Sequence, residues 1–257
     1  MDLLTSSWSL AVPRVLVCIA PLPVSLPSED DALPPLIDRS EWEEFATEKR
    51  RIEHLGGRLL LAQALKAWWG PRATLLHVDE VEVRRDDHRA PHVHWMPGTW
   101  RREPLPSVSI AHSTGLAAVA LASPGWRLGV DVEPADRVIA SNAWDFFAGE
   151  EERTAFDGPQ DALHAWVCKE AVQKALGLGM HLNPRTIRVG VDGFAHVNGA
   201  RLEVKHLEHE GLLVGLALVE QDVRPNDPED WILDATRKAM ETATDWSIGC
   251  STQRRGC

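Results

Sequence analysis

Apolar residues occur along the first half of the chain in short runs that are typical of buried strands. The first run, residues 14–22, predicts a strand, and the proline-rich acidic residues 23–35 predict a loop after it. Further strands are predicted at residues 79–85, 106–113, 115–123 and 126–133.

A long stretch with helical composition, residues 41–69, precedes this run of strands. Ser40 and Glu43 have the spacing of a capping box, which predicts that the helix begins there. A glycine-proline pair predicts its end. The adjacent Gly56 and Gly57 predict a kink or a division within the helix, because glycine weakens a helix interior.

The second half of the chain repeats this order of helices followed by strands. Short helical pieces are predicted within residues 142–156, and the strongest helix of the chain at 161–179. Strands are predicted at residues 186–191, 193–197, 201–207 and 212–219. The polar residues 222–257 predict a peripheral helix and a loose tail. We therefore expect an α+β fold that resembles one unit used twice, although no residue-level repeat demonstrates a duplication.

Composition and charge narrow the classes of function. The 257 residues are 44% hydrophobic and 25% charged, as in an ordinary globular protein. A formal net charge of −11 argues against a general nucleic-acid binder and against a protein that binds anionic membranes, because both depend on a basic surface. Since no stretch reaches about 18 apolar residues, we expect no membrane span.

The cysteines and the amino terminus favour a cytoplasmic protein. None of the four cysteines forms a Cys-x-x-Cys pair or has metal-ligand spacing, which suits a reducing compartment. The chain begins with Asp2 where a signal peptide has basic residues, and Pro13 and Arg14 interrupt the apolar run.

Two carboxylates stand at the end of a predicted strand, in the sequence GVDVEPADR (residues 129–137). Side chains two positions apart on a strand point to the same face, so Asp131 and Glu133 are expected side by side, about 7 Å apart. One interpretation is a pair of solvated acids at a strand end. The other is that the two anions share a cation.

The strongest predicted helix carries Glu170 and Lys174, which lie four positions apart and share a face with Trp166. One interpretation is a surface salt bridge worth only about 0.3 kcal/mol. The helix is also apolar nearly all round, which predicts that it is buried and that its charges need partners. The apolar residues are Trp166, Val167, Ala171, Val172, Ala175, Leu176 and Leu178.

Three motifs, in this order, resemble the signature of the 4′-phosphopantetheinyl transferases. VSIAHSTG is similar to the family's Asn-[Ile/Val]-Ser-His-Ser, with Ala111 in place of the serine before His112. LGVDVE (128–133) is similar to its Gly-[Ile/Val]-Asp-[Ile/Val]-Glu strand. WVCKEAVQK (166–174) is similar to its Trp-x-x-Lys-Glu-[Ala/Ser]-x-x-Lys helix. Upstream, RRIEHLGGRLLL resembles the family's amino-terminal helix.

The resemblance covers roughly residues 48–190, and the chain length resembles that of the surfactin-type (Sfp-like) subgroup. It implies a pseudodimer of two similar α/β subdomains, with antiparallel sheets packed on long helices and an active site at their interface. The implied units are residues 1–125 on the nucleotide side, residues 126–221 with the metal and the catalytic helix, and the peripheral residues 222–257.

The resemblance also implies a reaction. The phosphopantetheine arm of coenzyme A would move to a serine of an apo acyl or peptidyl carrier protein, with release of adenosine 3′,5′-bisphosphate. Mg²⁺ would be held by Asp131, Glu133 and Glu170, since this ion prefers carboxylates together with phosphate oxygens. Glu170 is also the candidate general base, an assignment that stays open, and Lys174 would contact the phosphates.

Four further residues are implied as coenzyme A contacts. Arg51 and Arg58 lie seven positions apart on one helix face and would bind the nucleotide 3′-phosphate, although alone they would be interpreted as a solvated stripe. His112 would contact a phosphate, although alone it would be interpreted as a core or turn histidine. Arg89, in HRAP, occupies the place of the family's basic-x-Pro loop on the adenine side.

Two alternative functions stay open. One is a non-catalytic relative that binds coenzyme A or a carrier protein, and the other is a different Mg²⁺-dependent phosphotransferase. The sequence does not indicate whether fatty acid, polyketide or nonribosomal peptide carriers are served. We expect a monomer that docks an acidic carrier through a local basic or hydrophobic patch, because the chain as a whole is acidic.

Overall fold

A computed structural model describes residues 2–4, 14–28, 32–74, 77–99 and 103–222. The helix and tail predicted for residues 222–257 lie outside these ranges, apart from residue 222 itself. No helix in the described ranges is long and apolar enough to cross a membrane.

The described residues form eleven strands and five α-helices. The strands are β1 (Asp2–Leu4), β2 (Val15–Pro21), β3 (Val81–Arg85), β4 (Pro91–Trp95), β5 (Ser107–Ser113), β6 (Leu116–Ala122), β7 (Trp126–Pro134), β8 (Arg188–Val189), β9 (Phe194–Val197), β10 (Ala200–His209) and β11 (Leu212–Glu220). The helices are α1 (Arg39–Glu43), α2 (Glu48–Trp69), α3 (Ser141–Phe147), α4 (Glu150–Ala155) and α5 (Pro159–Ala175).

These strands form two larger sheets and one hairpin. The first sheet has the strand order β1-β2-β6-β5, the second has the order β7-β11-β10-β9-β8, and β3 pairs with β4. Every pairing is antiparallel. Helices combined with antiparallel sheets confirm the predicted α+β class.

Both faces of the two sheets are buried, which gives four layers. Alternate residues of β2 and β6 pack against alternate residues of β7 and β11, in an apolar layer between the sheets. The other face of the first sheet packs on α2, and the other face of the second packs on α5. The order of the layers is therefore helix, sheet, sheet, helix.

The long helix predicted at residues 41–69 is two helices, with the break at residues 44–47. The predicted capping box of Ser40 and Glu43 is wrong, because Asp38 is the N-cap of α1. Its Oδ1 accepts hydrogen bonds from the Ser40 amide at 2.7 Å and the Glu41 amide at 3.3 Å. Thr47 caps α2 in the same way, accepting from the Arg50 amide.

The predicted kink or division at Gly56 and Gly57 is also wrong, since α2 runs through both residues. A Cβ at Gly57 would lie 2.8 Å from His112 Nε2, and one at Gly56 would lie 2.4 Å from Leu22 Cδ2. The glycines therefore allow α2 to lie close to the first sheet, and the helix interior tolerates them because packing outweighs their low propensity.

Several strand boundaries differ from the predictions. The sequence pattern missed β1 and β4, and only Arg188–Val189 of the strand predicted at 186–191 is extended. In β4 the side chains alternate between half-buried and exposed, with Val93 and Trp95 packed against the core of the first sheet. An alternation this short, and interrupted by histidines, gave no clear strand signal.

Helix α5 approaches the second sheet closely, because two glycines face it. A Cβ at Gly129 in β7 would lie 1.8 Å from the Ala171 carbonyl oxygen, and one at Gly215 in β11 would lie 2.4 Å from the Val167 carbonyl oxygen. The helix backbone therefore lies directly on the strands.

We expect Gly129→Ala to lower the free energy of unfolding by about 3 kcal/mol or more, because a methyl group there can be accommodated only by moving α5. Denaturant unfolding measures this change. Gly158→Ala, just before α5, is the matched control. Its Cβ would meet nothing within 4 Å and its backbone is extended, so it should cost less than about 1 kcal/mol. Equal effects of the two substitutions would contradict the close seating of α5.

Candidate active site

Strand β7 presents its two carboxylates toward α5. Gly129, Asp131 and Glu133 share one face of the strand, while Val130 and Val132 point into the layer between the sheets. Asp131 is only 7% exposed and Glu133 only 8%. The interpretation of two solvated acids is therefore wrong, because buried carboxylates need partners.

Helix α5 supplies the partner of Asp131. Lys174 Nζ donates a hydrogen bond to Asp131 Oδ1 at 2.7 Å, which joins the end of α5 to β7. Glu170, one turn earlier, is half-buried near the same two carboxylates, since Asp131 and Glu133 both act on its charge. The interpretation of Glu170 and Lys174 as a surface salt bridge is thus replaced by contacts between two elements.

Glu133 has two partners that the sequence did not reveal. The Ser113 hydroxyl, at the end of β5, donates to Glu133 Oε2 at 2.6 Å. Arg137, in the turn after β7, forms an ion pair with Glu133 Oε1. Ser113 directly follows His112 in the first of the three motifs, which marks its position but not its contact with Glu133. Arg137 carried no signal, because its position depends on how the turn folds.

The surroundings of Asp131 and Glu170 favour the protonated form of both carboxyl groups. Burial raises the pKa of Asp131, and Lys174 opposes the rise. Burial also raises the pKa of Glu170, with Lys174 again opposing and the charges of Asp131 and Glu133 adding to the rise. Asp131 Oδ2 is buried and has no hydrogen-bond partner among the described residues. This orphaned oxygen is suited to a cation.

No three His, Cys, Asp or Glu side chains in the described part of the chain are arranged as a ready-made metal site. The carboxylates of β7 are instead paired with side-chain cations of the protein, Asp131 with Lys174 and Glu133 with Arg137. The donors have the chemistry that Mg²⁺ prefers, and a metal ion would have to replace these partners.

His112 lies on β5, against α2 at Gly57. Burial lowers its pKa to about 4, and it hydrogen-bonds to the backbone of Glu53. The charge of Lys174 also acts on the ring, which places His112 beside the acidic cluster. The ring is therefore neutral near pH 7, and its single N–H is engaged by the Glu53 backbone, while Nε2 has no hydrogen-bond partner among the described residues.

Arg89 and Lys174 line one cavity of about 480 Å³ between the β3–β4 hairpin and the end of α5. Arg89 has a φ of 67°, an uncommon conformation for a residue with a side chain. The turn is held by Asp86, whose Oδ1 accepts hydrogen bonds from the His88 and Ala90 amides. The structure therefore brings this predicted cofactor residue together with Lys174 at the end of α5.

The two arginines predicted for the nucleotide 3′-phosphate are already engaged within the chain. Arg58 is 2% exposed, and its Nη2 lies 3.3 Å from Glu41 Oε2. Arg51 donates from Nε to the Phe45 carbonyl oxygen at 3.1 Å. Both therefore contact the segment that runs from α1 to α2.

Lys169, next to Glu170, is fully buried and makes contacts that stabilise the fold. Its Nζ donates to the Phe147 and Pro184 carbonyl oxygens at 2.9 and 3.1 Å, and to Glu152 Oε2 at 2.6 Å. Three acceptors satisfy the buried ammonium group. The lysine therefore ties the helices around α5 together and orients the turn that carries Glu170.

Residues 127–210 match the family model of the 4′-phosphopantetheinyl transferase superfamily. The match covers about a third of the chain and includes β7 from residue 127 onward, α5 and strands β8, β9 and β10 of the second sheet. It indicates a transferase, and phosphopantetheine transfer in general terms. No curated protein matches the chain.

Because His112 is buried, we expect the folded protein to lose stability in acid. His112 in the unfolded chain titrates near 6.5, and in the folded protein burial lowers its pKa to about 4. As pH falls below 6.5, the unfolded state takes up a proton that the folded state refuses until about pH 4. The stability that neutral His112 contributes is thus present above pH 6.5 and is lost across this window.

The substitution His112→Asn should remove the pH-dependent contribution of this side chain to stability. Between pH 7 and pH 4 the unmodified protein should lose up to about 3 kcal/mol more stability than the variant, measured by denaturant unfolding at each pH. His196→Asn, at an exposed strand position, should behave like the unmodified protein. Parallel pH profiles for the protein and the His112 variant would contradict the buried, neutral state of this ring.

Proposed function

We propose that the protein is a surfactin-type 4′-phosphopantetheinyl transferase, which moves the phosphopantetheine arm of coenzyme A to a serine of an apo acyl or peptidyl carrier protein. Adenosine 3′,5′-bisphosphate is the other product. The observation that carries the proposal is the 2.7 Å contact of Lys174 with Asp131. It joins the two signature motifs at one site, within the region that the family model matches.

The proposed architecture is a pseudodimer. Residues 1–125 would form the nucleotide-side subdomain and residues 126–221 the metal-side subdomain. In support, the first sheet and α2 lie in the first range and the second sheet and α5 lie in the second. Ser113 in the first range donates to Glu133 in the second, and the charge of Lys174 acts on His112, which supports a site at the interface.

Asp131, Glu133 and Glu170 would hold Mg²⁺, which when bound neutralises charge on the pyrophosphate of coenzyme A. The proposal is supported by the buried Asp131 Oδ2, which has no hydrogen-bond partner among the described residues and is suited to a cation. In the structure Lys174 pairs with Asp131, and Arg137 pairs with Glu133. Both cations would pair with other anions once a metal ion binds the two carboxylates.

The remaining chemistry falls to side chains already in place. Phosphoryl transfer requires positioning and charge neutralisation more than covalent help. Lys174 and Arg89, which line the same cavity, would contact phosphate oxygens, and His112 would contact a phosphate through Nε2, which would carry a second ring proton beside that anion. The Glu170 carboxylate would accept the serine proton, a role that its raised pKa favours because the group is then a stronger base.

We also propose that the protein acts as a cytoplasmic monomer on an acidic carrier. Phe146 and Val138 are exposed apolar residues on the segment that follows β7. Such a local patch is suited to docking a carrier beside the acidic site, although the chain as a whole carries a net charge of −11.

Transfer is the direct test. Incubation with coenzyme A, Mg²⁺ and an apo carrier domain should add one phosphopantetheine mass to the carrier, measured by intact-mass spectrometry. Glu170→Gln and Asp131→Asn should each reduce the rate about 100-fold or more, because each removes a charge that the reaction needs. Asp136→Asn, an exposed acid in the turn after β7, should change little.

The contrary outcomes are distinct. Failure to modify any of several carriers would contradict the proposal, and binding of coenzyme A without transfer would favour a non-catalytic relative. Release of adenosine 3′,5′-bisphosphate without a carrier would favour another phosphotransferase.

Mg²⁺ binding can be measured apart from turnover. We expect Mg²⁺ to raise the melting temperature of the unmodified protein, since a ligand that binds only the folded state stabilises it. Asp131→Asn should abolish this shift and Asp136→Asn should retain it, as calorimetric titration can verify. If Mg²⁺ raised the melting temperature of both variants equally, the ion would bind at a different site.

A further inference from the structure

The Arg137 side chain occupies one oxygen of a proposed metal ligand. Its guanidinium forms an ion pair with Glu133 Oε1. The Ser113 hydroxyl donates to Glu133 Oε2 at 2.6 Å, so both oxygens of this carboxylate are engaged by the chain. A metal ion bound to Oε1 would lie beside the guanidinium, and the repulsion between the two cations would favour withdrawal of Arg137. The serine hydroxyl carries no charge and has no such conflict.

The two carboxylates of β7 differ in this respect. Lys174 holds only Oδ1 of Asp131, and the buried Oδ2 has no hydrogen-bond partner among the described residues. A cation can therefore begin to bind Asp131 with Lys174 still in place. At Glu133 a cation meets a charged partner on Oε1 and a hydroxyl on Oε2. Arg137 is thus the internal cation that competes most directly for the site.

The backbone at Arg137 is fixed independently of this ion pair. The Arg137 amide closes the turn after β7, because it donates to the Pro134 carbonyl oxygen at 3.0 Å. The Ala135 amide donates to the Gly211 carbonyl oxygen at 2.8 Å, which joins this turn to the one between β10 and β11. Arg137 can therefore release Glu133 by rotation of its side chain, without rearrangement of the turn.

The two partners differ in what they lose when they separate. The Arg137 side chain is 46% exposed, and the Glu133 side chain is 10% exposed. A guanidinium that turns outward regains contact with water, whereas the buried carboxylate would be left without a cation. The ion pair is therefore stable while no other cation is bound, and it is readily exchanged when one binds.

The released guanidinium would lie beside the exposed apolar residues that follow β7. Val138, the next residue, is 71% exposed, and Phe146 is 58% exposed. Protein interfaces combine an apolar centre with polar and charged groups around it. A partner that covers these two residues would bring its own side chains close to Arg137, and an anionic one would pair with the guanidinium.

We propose that Arg137 is an internal counter-ion of Glu133 that is displaced when Mg²⁺ binds, and that the displaced guanidinium binds an anionic group of the acceptor protein. The competition between Arg137 and a cation stands on the contacts above, and the identities of the metal and the acceptor rest on the proposed function. Since binding free energies are linked, each ligand strengthens the other. The metal frees the arginine that the acceptor uses, and an acceptor that holds the arginine leaves Glu133 open to the metal.

The first test uses Mg²⁺ alone, in a calorimetric titration without coenzyme A or carrier. Arg137→Gln should bind Mg²⁺ about fivefold more tightly than the unmodified protein, because the competing cation is gone. Arg137→Lys keeps the charge and should stay within about twofold of the unmodified protein. Arg153→Gln is the matched control, since Arg153 is also partly exposed and pairs with an acid outside the site, Asp145. Equal affinities in the unmodified protein and Arg137→Gln would overturn the competition.

The displacement can also be observed in the unmodified protein, which keeps the proposal testable if Arg137→Gln does not fold. The arginine Nε–H signals are recorded by ¹⁵N nuclear magnetic resonance, with the Arg137 signal assigned from its loss in Arg137→Lys. Saturating Mg²⁺ should shift this signal and leave that of Arg153 in place. An unchanged Arg137 signal at saturating Mg²⁺ would overturn the displacement.

The coupling to the acceptor is measured without turnover, with an apo carrier domain whose acceptor serine is replaced by alanine. Saturating Mg²⁺ should tighten the binding of this domain to the unmodified protein about threefold or more, and should have no effect on its binding to Arg137→Gln. Equal effects of Mg²⁺ on both proteins would overturn the role of Arg137 in acceptor binding.

Two outcomes separate this inference from the proposed function. Transfer to a carrier, together with equal Mg²⁺ affinities of the unmodified protein and Arg137→Gln, would support the enzyme and overturn the counter-ion. Tighter binding of Mg²⁺ by Arg137→Gln, with no carrier bound or modified, would support the counter-ion and contradict the proposed acceptor.

Discussion

The direct seating of α5 on β7 is the constraint on which the rest of the site depends. Gly129 allows the helix backbone to touch the strand, and no other residue type would leave room for it. At that separation Lys174 reaches Asp131, and Glu170 comes within range of both strand carboxylates. A helix held farther out would leave the buried Asp131 without its cation, which is far costlier than losing a surface salt bridge.

Two of the three carboxylates of the candidate site, and the buried Arg58, are paired with opposite charges of the described chain. Lys174 forms an ion pair with Asp131, Arg137 with Glu133, and Glu41 with the buried Arg58. Binding of an ionic ligand is therefore an exchange of partners and not the filling of an empty charged pocket. The binding free energy of each exchange is only the difference between the energies of two ion pairs. The affinity for a ligand therefore depends on how weakly the internal partner is held.

The local chemistry of the site was predictable from the sequence, because it depends on short-range periodicity. Asp131 and Glu133 share a face by strand alternation, and Glu170 and Lys174 by helical spacing. The partners Ser113, Arg137 and Glu41 were not predictable, since each reaches its ion through a turn or a tertiary contact. The division of the first long helix was misplaced for the same reason, because the packing of Gly56 and Gly57 against the first sheet outweighs their helix propensity.

The contrast between the two faces of α2 shows how one helix serves both folding and binding. One face carries leucines and tryptophans into the core of the first sheet. The other carries the buried His54 and Arg58, which both lie close to Glu41 of α1. Arginine under a short, poorly anchored cover is an expensive way to stabilise a fold, since apolar residues of similar size would pack there without an ion pair.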